Sequence, residues 1–105
     1  MAYTVVFSAA AGIQLSELYS YLADHAGETL AESFVGGITT YCQSFATFPH
    51  RGTKRDDVLQ GLRTTGYKRR VTIAFTVDET AKSVVVHGIF YGGRDYIRHL
   101  LEPED

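Results

Sequence analysis

The chain has 105 residues, a mass of 11.6 kDa and 45% apolar residues. That composition excludes a disordered chain, and no apolar run approaches the ~18 residues of a membrane span. Formal charge is only −2, but it is segregated. Residues 1–50 hold no Lys or Arg and four acids, Glu17, Asp24, Glu28 and Glu32. Residues 51–70 hold seven basic residues against Asp56 and Asp57, a local +5. Such a split predicts a polarised surface. The length predicts one domain over residues 1–105. The single cysteine, Cys42, excludes an internal disulfide. The first residues lack a basic leader, which leaves the cytoplasm as the expected location.

The first predicted element is a strand, with Tyr3, Val5 and Phe7 on one face. Ser8 fits an N-cap for the helix that follows. Leu15, Leu18, Tyr19 and Leu22 form that helix's apolar face, and Gly27 is placed to end it with a left-handed cap. The next helix carries Ala31, Phe34, Ile38, Tyr41, Phe45 and Phe48, spaced for packing on a sheet or helix. Gly36-Gly37 interrupts it, read as close approach to another backbone, and Pro49 stops it. Cys42 adjoins the stripe as a buried structural thiol.

Residues 50–60 read as a polar, charged connection. The period then changes to two. Leu62 to Lys68 is a candidate strand. Arg70 to Val77 is a stronger one, with Val71, Ile73, Phe75 and Val77 opposite Thr72, Ala74 and Thr76. Asp78 to Lys82 is the turn of an antiparallel hairpin whose second strand is Ser83 to Tyr91. There Val84 and Val86 are expected opposite Val85 and Ile89. Gly92-Gly93 breaks it, and a short helix is predicted from Asp95 to Leu101. The order β-α-α-β-β-β-α implies an α+β fold, an antiparallel sheet packed by an N-terminal helical hairpin.

The basic segment is the main functional candidate: Arg51, Lys54, Arg55, Arg63, Lys68, Arg69 and Arg70. Strand pairing is expected to bring Arg63 and Arg70 near each other on an exposed face suited to phosphates or acidic protein. Tyr91 and Arg94 are expected to join that face. No nucleophile elbow, Walker loop or zincin motif is present, and Gly88 to Gly93 lacks dinucleotide spacing. The four histidines are scattered, so no metal and no cofactor are expected. Asp56 and Asp57 are read as local partners of Lys54 and Arg55.

The strand Tyr3 to Ser8, the stretch Phe48-Pro49-His50-Arg51-Gly52-Thr53-Lys54-Arg55-Asp56-Asp57, then Gly61-Leu62-Arg63 and Gly92-Gly93-Arg94-Asp95, resemble the ParE/RelE toxin superfamily, the ParE branch in particular. The resemblance implies a plasmid-stabilising type II toxin that arrests growth by poisoning DNA gyrase, without turnover of its own. It also implies neutralisation by a ParD-like antitoxin. The site residues it favours are Arg55, Arg63, Lys68, Arg69, Arg70, Tyr91 and Arg94. The RelE branch implies the alternative, an mRNA endonuclease acting on the ribosome, with Arg63, Arg70 and Arg94 as catalytic residues. Against it, Leu59, Gln60 and Gly61 stand where that branch has lysines, and the C-terminal tyrosine is absent, with His99 the only titrating substitute. A third alternative is an inactive toxin fold that only binds antitoxin.

Overall fold

The computed structural model describes residues 2–92. The predicted helix at Asp95–Leu101 lies outside the described residues. The chain opens with β1 (Thr4–Phe7), followed by α1 (Ala9–Ala26) and α2 (Glu28–Gln43). After a 3-10 turn (Ser44–Ala46) come β2 (Thr53–Lys54), β3 (Leu62–Tyr67), β4 (Val71–Asp78) and β5 (Ser83–Tyr91).

Local chemistry fixes the helix ends. Ser8 caps α1, its hydroxyl accepting from the Ala11 N–H at 3.1 Å. Gly27 ends it with φ 96° and ψ 155°, a positive φ outside the left-handed helical well, and its N–H reaches the Ala23 carbonyl at 3.2 Å. That backbone is open to glycine at little steric cost.

Leu18 and Leu22 of α1 are buried, and Leu15 and Tyr19 pack beside them. On α2, Ala31, Ile38 and Cys42 are buried, and Phe45 in the 3-10 turn stacks on Phe75 of β4 with centroids 4.4 Å apart. Phe48 leaves the stripe and is 64% exposed. The 3-10 turn has 3.0 residues per turn instead of 3.6, so the helical spacing no longer points Phe48 inward.

Helix α2 runs unbroken through Gly36-Gly37. Gly36 has open space around it, and the Tyr67 side chain of β3 occupies the place a Gly37 Cβ would take. The close approach is therefore by a side chain at one glycine, instead of by a backbone at the pair.

The five strands lie in the order β1-β5-β4-β3-β2. Three pairings are antiparallel, but β1 runs parallel to β5, with Thr4 opposite Ser83 and Phe7 opposite Val86. The sheet is thus mixed, and β2 is a strand inside the stretch read as a connection. One face carries Val71, Ile73, Phe75, Val84 and Val86 against the helices. Each fully buried side chain of this size contributes roughly 1.5–3 kcal/mol relative to exposure. A smaller cluster of Leu62, Ala74 and Phe90 lies apart from it, with Val58 packed against it.

Ile89 is on the helix side with Val84 and Val86, contrary to the strict alternation expected from sequence. A bulge is the reason. Ala74 pairs with Gly88 but Phe75 pairs with Val86, so His87 is the extra residue and the parity flips.

Candidate functional site: a divided basic segment

The basic residues between 51 and 70 do not gather on one face. Arg63 pairs with Phe75 near the start of β3, while Tyr67 at its end pairs with Val71, next to Arg70. Four residues of strand, at about 3.3 Å each, put these ends roughly 13 Å apart. Arg63 and Arg70 therefore stand at opposite ends of the β3–β4 hairpin, contrary to the sequence expectation. A tight hairpin pairs residues symmetrically about its turn, so Arg70 has the far end of β3 for a neighbour.

The first end is a cleft of about 230 Å³ lined by His50, Lys54, Asp56, Gly61, Leu62, Arg63, Val77 and Glu79. Lys54 faces Arg63 across β2 and β3. Arg63 is half-buried and donates from Nη1 to the Arg51 carbonyl at 3.3 Å. Arg55 holds Asp57 through two bonds, at 3.0 and 2.9 Å. That hydrogen bonding holds the Asp57 carboxyl below its ordinary range. Asp56 instead accepts the Gly61 N–H at 2.8 Å and shapes the loop.

Arg51 is structural. Its guanidinium lies 5.3, 5.6 and 5.9 Å from the centroids of Tyr41, Phe45 and Phe48. It donates to the Phe48 carbonyl at 3.1 Å and to Ser44 Oγ at 3.2 Å. The chain thus uses this cation to cover an aromatic edge.

Beside the cleft is a cluster that sequence reasoning missed. Tyr3 donates its hydroxyl proton to Glu79 Oε1 at 2.6 Å, and His50 Nε2 lies 2.7 Å from Oε2. Lys82 Nζ is 3.9 Å from the same carboxylate and 5.2 Å from the Tyr3 ring centroid. The Tyr3 hydrogen bond is the main cause of a lowered Glu79 pKa, and the same bond raises that of Tyr3. No local motif signals this group. The parallel β1–β5 pair brings residues 3 and 82 together.

The second end is the β3–β4 turn. Lys68, Arg69 and Arg70 are all exposed there. Tyr91 sits at this end, half-buried, opposite Val71 and packed on Phe34 and Tyr21 with centroids 6.1 and 6.2 Å away. It also lines a groove of about 340 Å³ with Gln14, Glu17, Leu18, Tyr21, Ile89 and Gly92. Arg94 lies outside the described residues.

Two titrating groups have no catalytic environment. Burial pushes the Cys42 thiol up to about 12, far from a thiolate nucleophile. Burial lowers the pKa of His87, which bonds Thr76 Oγ1 at 2.8 Å. Among the described residues no group of three or more His, Cys, Asp or Glu side chains is arranged to hold a metal. No helix among them is long and apolar enough to cross a membrane.

A family model described as "ParE toxin of type II toxin-antitoxin system, parDE" matches residues 5–96, most of the chain. The chain belongs to the ParE toxin family. The fold has solved counterparts. A chain of the chromosomal ParDE toxin–antitoxin system from P. aeruginosa superposes with a TM-score of 0.74 at 18% identity, covering 87% of this chain and 97% of its own. A chain of the RelBE2 toxin–antitoxin complex from Mycobacterium tuberculosis gives 0.68 at 15% identity, covering 90% and 95%. No curated protein matches. The expected RelE/ParE-like α+β architecture is therefore the observed one, and this ParE-family chain is a type II toxin.

Proposed function

We propose that this ParE-family toxin arrests growth in the cytoplasm by binding and poisoning DNA gyrase, and that a ParD-like antitoxin neutralises it. The observation that carries the reading is the family match over residues 5–96 together with the make-up of the Arg63 cleft. The two acids Asp56 and Glu79 offset Lys54 and Arg63 there, so the cleft is nearly balanced in charge. Phosphoryl chemistry gains from uncompensated cations around the reacting group, whereas interleaved charges suit a specific protein surface. An antitoxin finds apolar footing on exposed Ile13, Tyr21 and Leu30 and on the groove between α1 and β5.

The test is plasmid supercoiling by purified gyrase with added toxin. Inhibition and trapped cleaved DNA are expected. Full supercoiling at stoichiometric excess, with no cleaved complexes, would overturn the reading.

One observation favours the mRNA-cutting alternative. Lys54 lies directly across from Arg63, and His50 lines the same cleft, so a base and two cations share one site. A translating extract decides it. Codon-specific cuts that vanish in Arg63→Ala would establish the nuclease; intact mRNA would dismiss it.

A further inference from the structure

The turn between β3 and β4 is built against its own conformational preference. Lys68 has φ 49° and Arg69 has φ 62°. The Arg70 N–H closes the turn on the Tyr67 carbonyl at 3.3 Å. Lys68, Arg69 and Arg70 separate the paired Tyr67 and Val71, and the two consecutive positive φ values at the centre of the Tyr67–Arg70 turn are those of a type I′ turn, for which Asn-Gly is the preferred pair. A long side chain in the left-handed region costs about 1 kcal/mol per residue. The chain places cations at both strained positions and a third immediately after.

The strain is retained with little local recompense. Among the described residues, none of the three forms a salt bridge. Lys68 Nζ lies 5.6 Å from the Tyr67 ring centroid, and all three residues are exposed. Strain held in exposed charged residues points to a use outside the fold. The turn is anchored from below, since the Gly92 N–H donates to the Arg70 carbonyl at 2.8 Å. The tip is therefore a fixed mount for three adjacent positive charges.

We infer that the Lys68-Arg69-Arg70 tip binds the phosphodiester backbone of duplex DNA. Unbroken positive charge matches the unbroken negative charge of a phosphate backbone. Arginine's planar fork suits phosphate oxygens in particular. A protein partner is less well matched, because among the described residues no acid interrupts the Lys68-Arg69-Arg70 run as Asp56 and Glu79 interrupt the other end. This deepens the gyrase reading, on which it rests for the source of the DNA: the cleft meets protein and the tip meets the nucleic acid that the enzyme holds.

The test uses the purified full chain and a fluorescently labelled mixed-sequence duplex of about 20 base pairs, with binding followed by anisotropy across a salt series. Three phosphate contacts predict that log K falls with log salt at a slope of about −2.7. The variant K68N/R69G removes two charges and installs the pair that the turn prefers. It should flatten the slope by about 1.8 while the melting temperature holds or rises. Arg70→Gln, outside the strained pair, should flatten it by about 0.9. An unchanged slope in both variants would overturn the inference. So would displacement of the duplex by polyglutamate as effectively as by unlabelled DNA, which would assign the tip to an acidic protein. The assay contains no gyrase, so a negative supercoiling result leaves its outcome standing, and the two readings fail separately.

Discussion

The two ends of the β3–β4 hairpin carry similar cations in opposite circumstances. At the cleft end, Arg51 covers three aromatic rings, Arg55 grips Asp57 and Arg63 reaches a backbone carbonyl. At the tip, Lys68, Arg69 and Arg70 are exposed on a strained turn. The first group stabilises its surroundings and the second is tolerated by them. Charge count alone does not separate these roles, because a paired cation and an unpaired one have the same sign. What separates them is whether removing the charge is expected to cost stability.

The contrast can be broken from the core outward. Phe45→Ala removes the ring stacked on Phe75 and should cost about 3–5 kcal/mol in urea unfolding, disabling both ends together. A loss under about 1 kcal/mol would mean that this ring does not anchor the helix layer. Gly52→Ala should cost roughly 2 kcal/mol, because Gly52 has φ 77° and its added Cβ would run into the Thr64 backbone. Hydrogen exchange should then rise at β2 and the start of β3 while the tip amides keep their protection; equal loosening at the tip would dissolve the division.

Arg51→Ala should cost about 1–2 kcal/mol, and Arg51→Lys should not restore it, since an ammonium cannot reproduce the planar stacking. Full recovery by lysine would reduce Arg51 to a point charge.

The Glu79 cluster adds a pH arm to the cleft end. Its folded pKa is depressed, so its contribution is present above the unfolded carboxylate value and is lost as pH falls through the folded value. Tyr3→Phe removes the largest cause of the shift. The Glu79 titration followed by NMR should therefore move upward toward the ordinary range; an unmoved titration would show that His50 and Lys82 hold the carboxylate alone. The smallest expected effect is at the tip, where K68N/R69G should raise stability by about 0.5–1 kcal/mol. A loss of stability there would place the two cations among the groups that hold the fold.

The parts of this architecture that depend on period were legible in the sequence. The α1 face at Leu18 and Leu22, the Ser8 cap and the inward set Val71, Ile73 and Phe75 all follow local spacing. The parts that depend on partners were not. Two residues of β2 carry no readable alternation, and nothing in Thr4–Phe7 says that its neighbour will be β5 in parallel. The bulge at His87 reverses the alternation, and Gly88 beside it is the one local cue, one that strict alternation along Val84, Val86 and Ile89 does not register. The separation of Arg63 from Arg70 was recoverable, because a tight turn between two strands dictates symmetric pairing. Shared charge carries no information about proximity that outweighs this geometry. The Tyr3–Glu79–His50 group had no signal at all, since its members lie far apart in the chain and meet only in the finished sheet.

The parallel pairing of β1 with β5 also sets an order of events during synthesis. Among the described residues, β1 has its sheet partner more than 75 residues downstream, at Ser83–Val86. Until that stretch has emerged, β1 lacks its partner and the α-helical hairpin faces an unfinished sheet. Contacts of such long sequence separation form late. Nascent toxin is thus expected to reach its compact form only after β5 has emerged, and force-sensitive arrest sequences fused downstream should report a single release once β5 clears the exit tunnel.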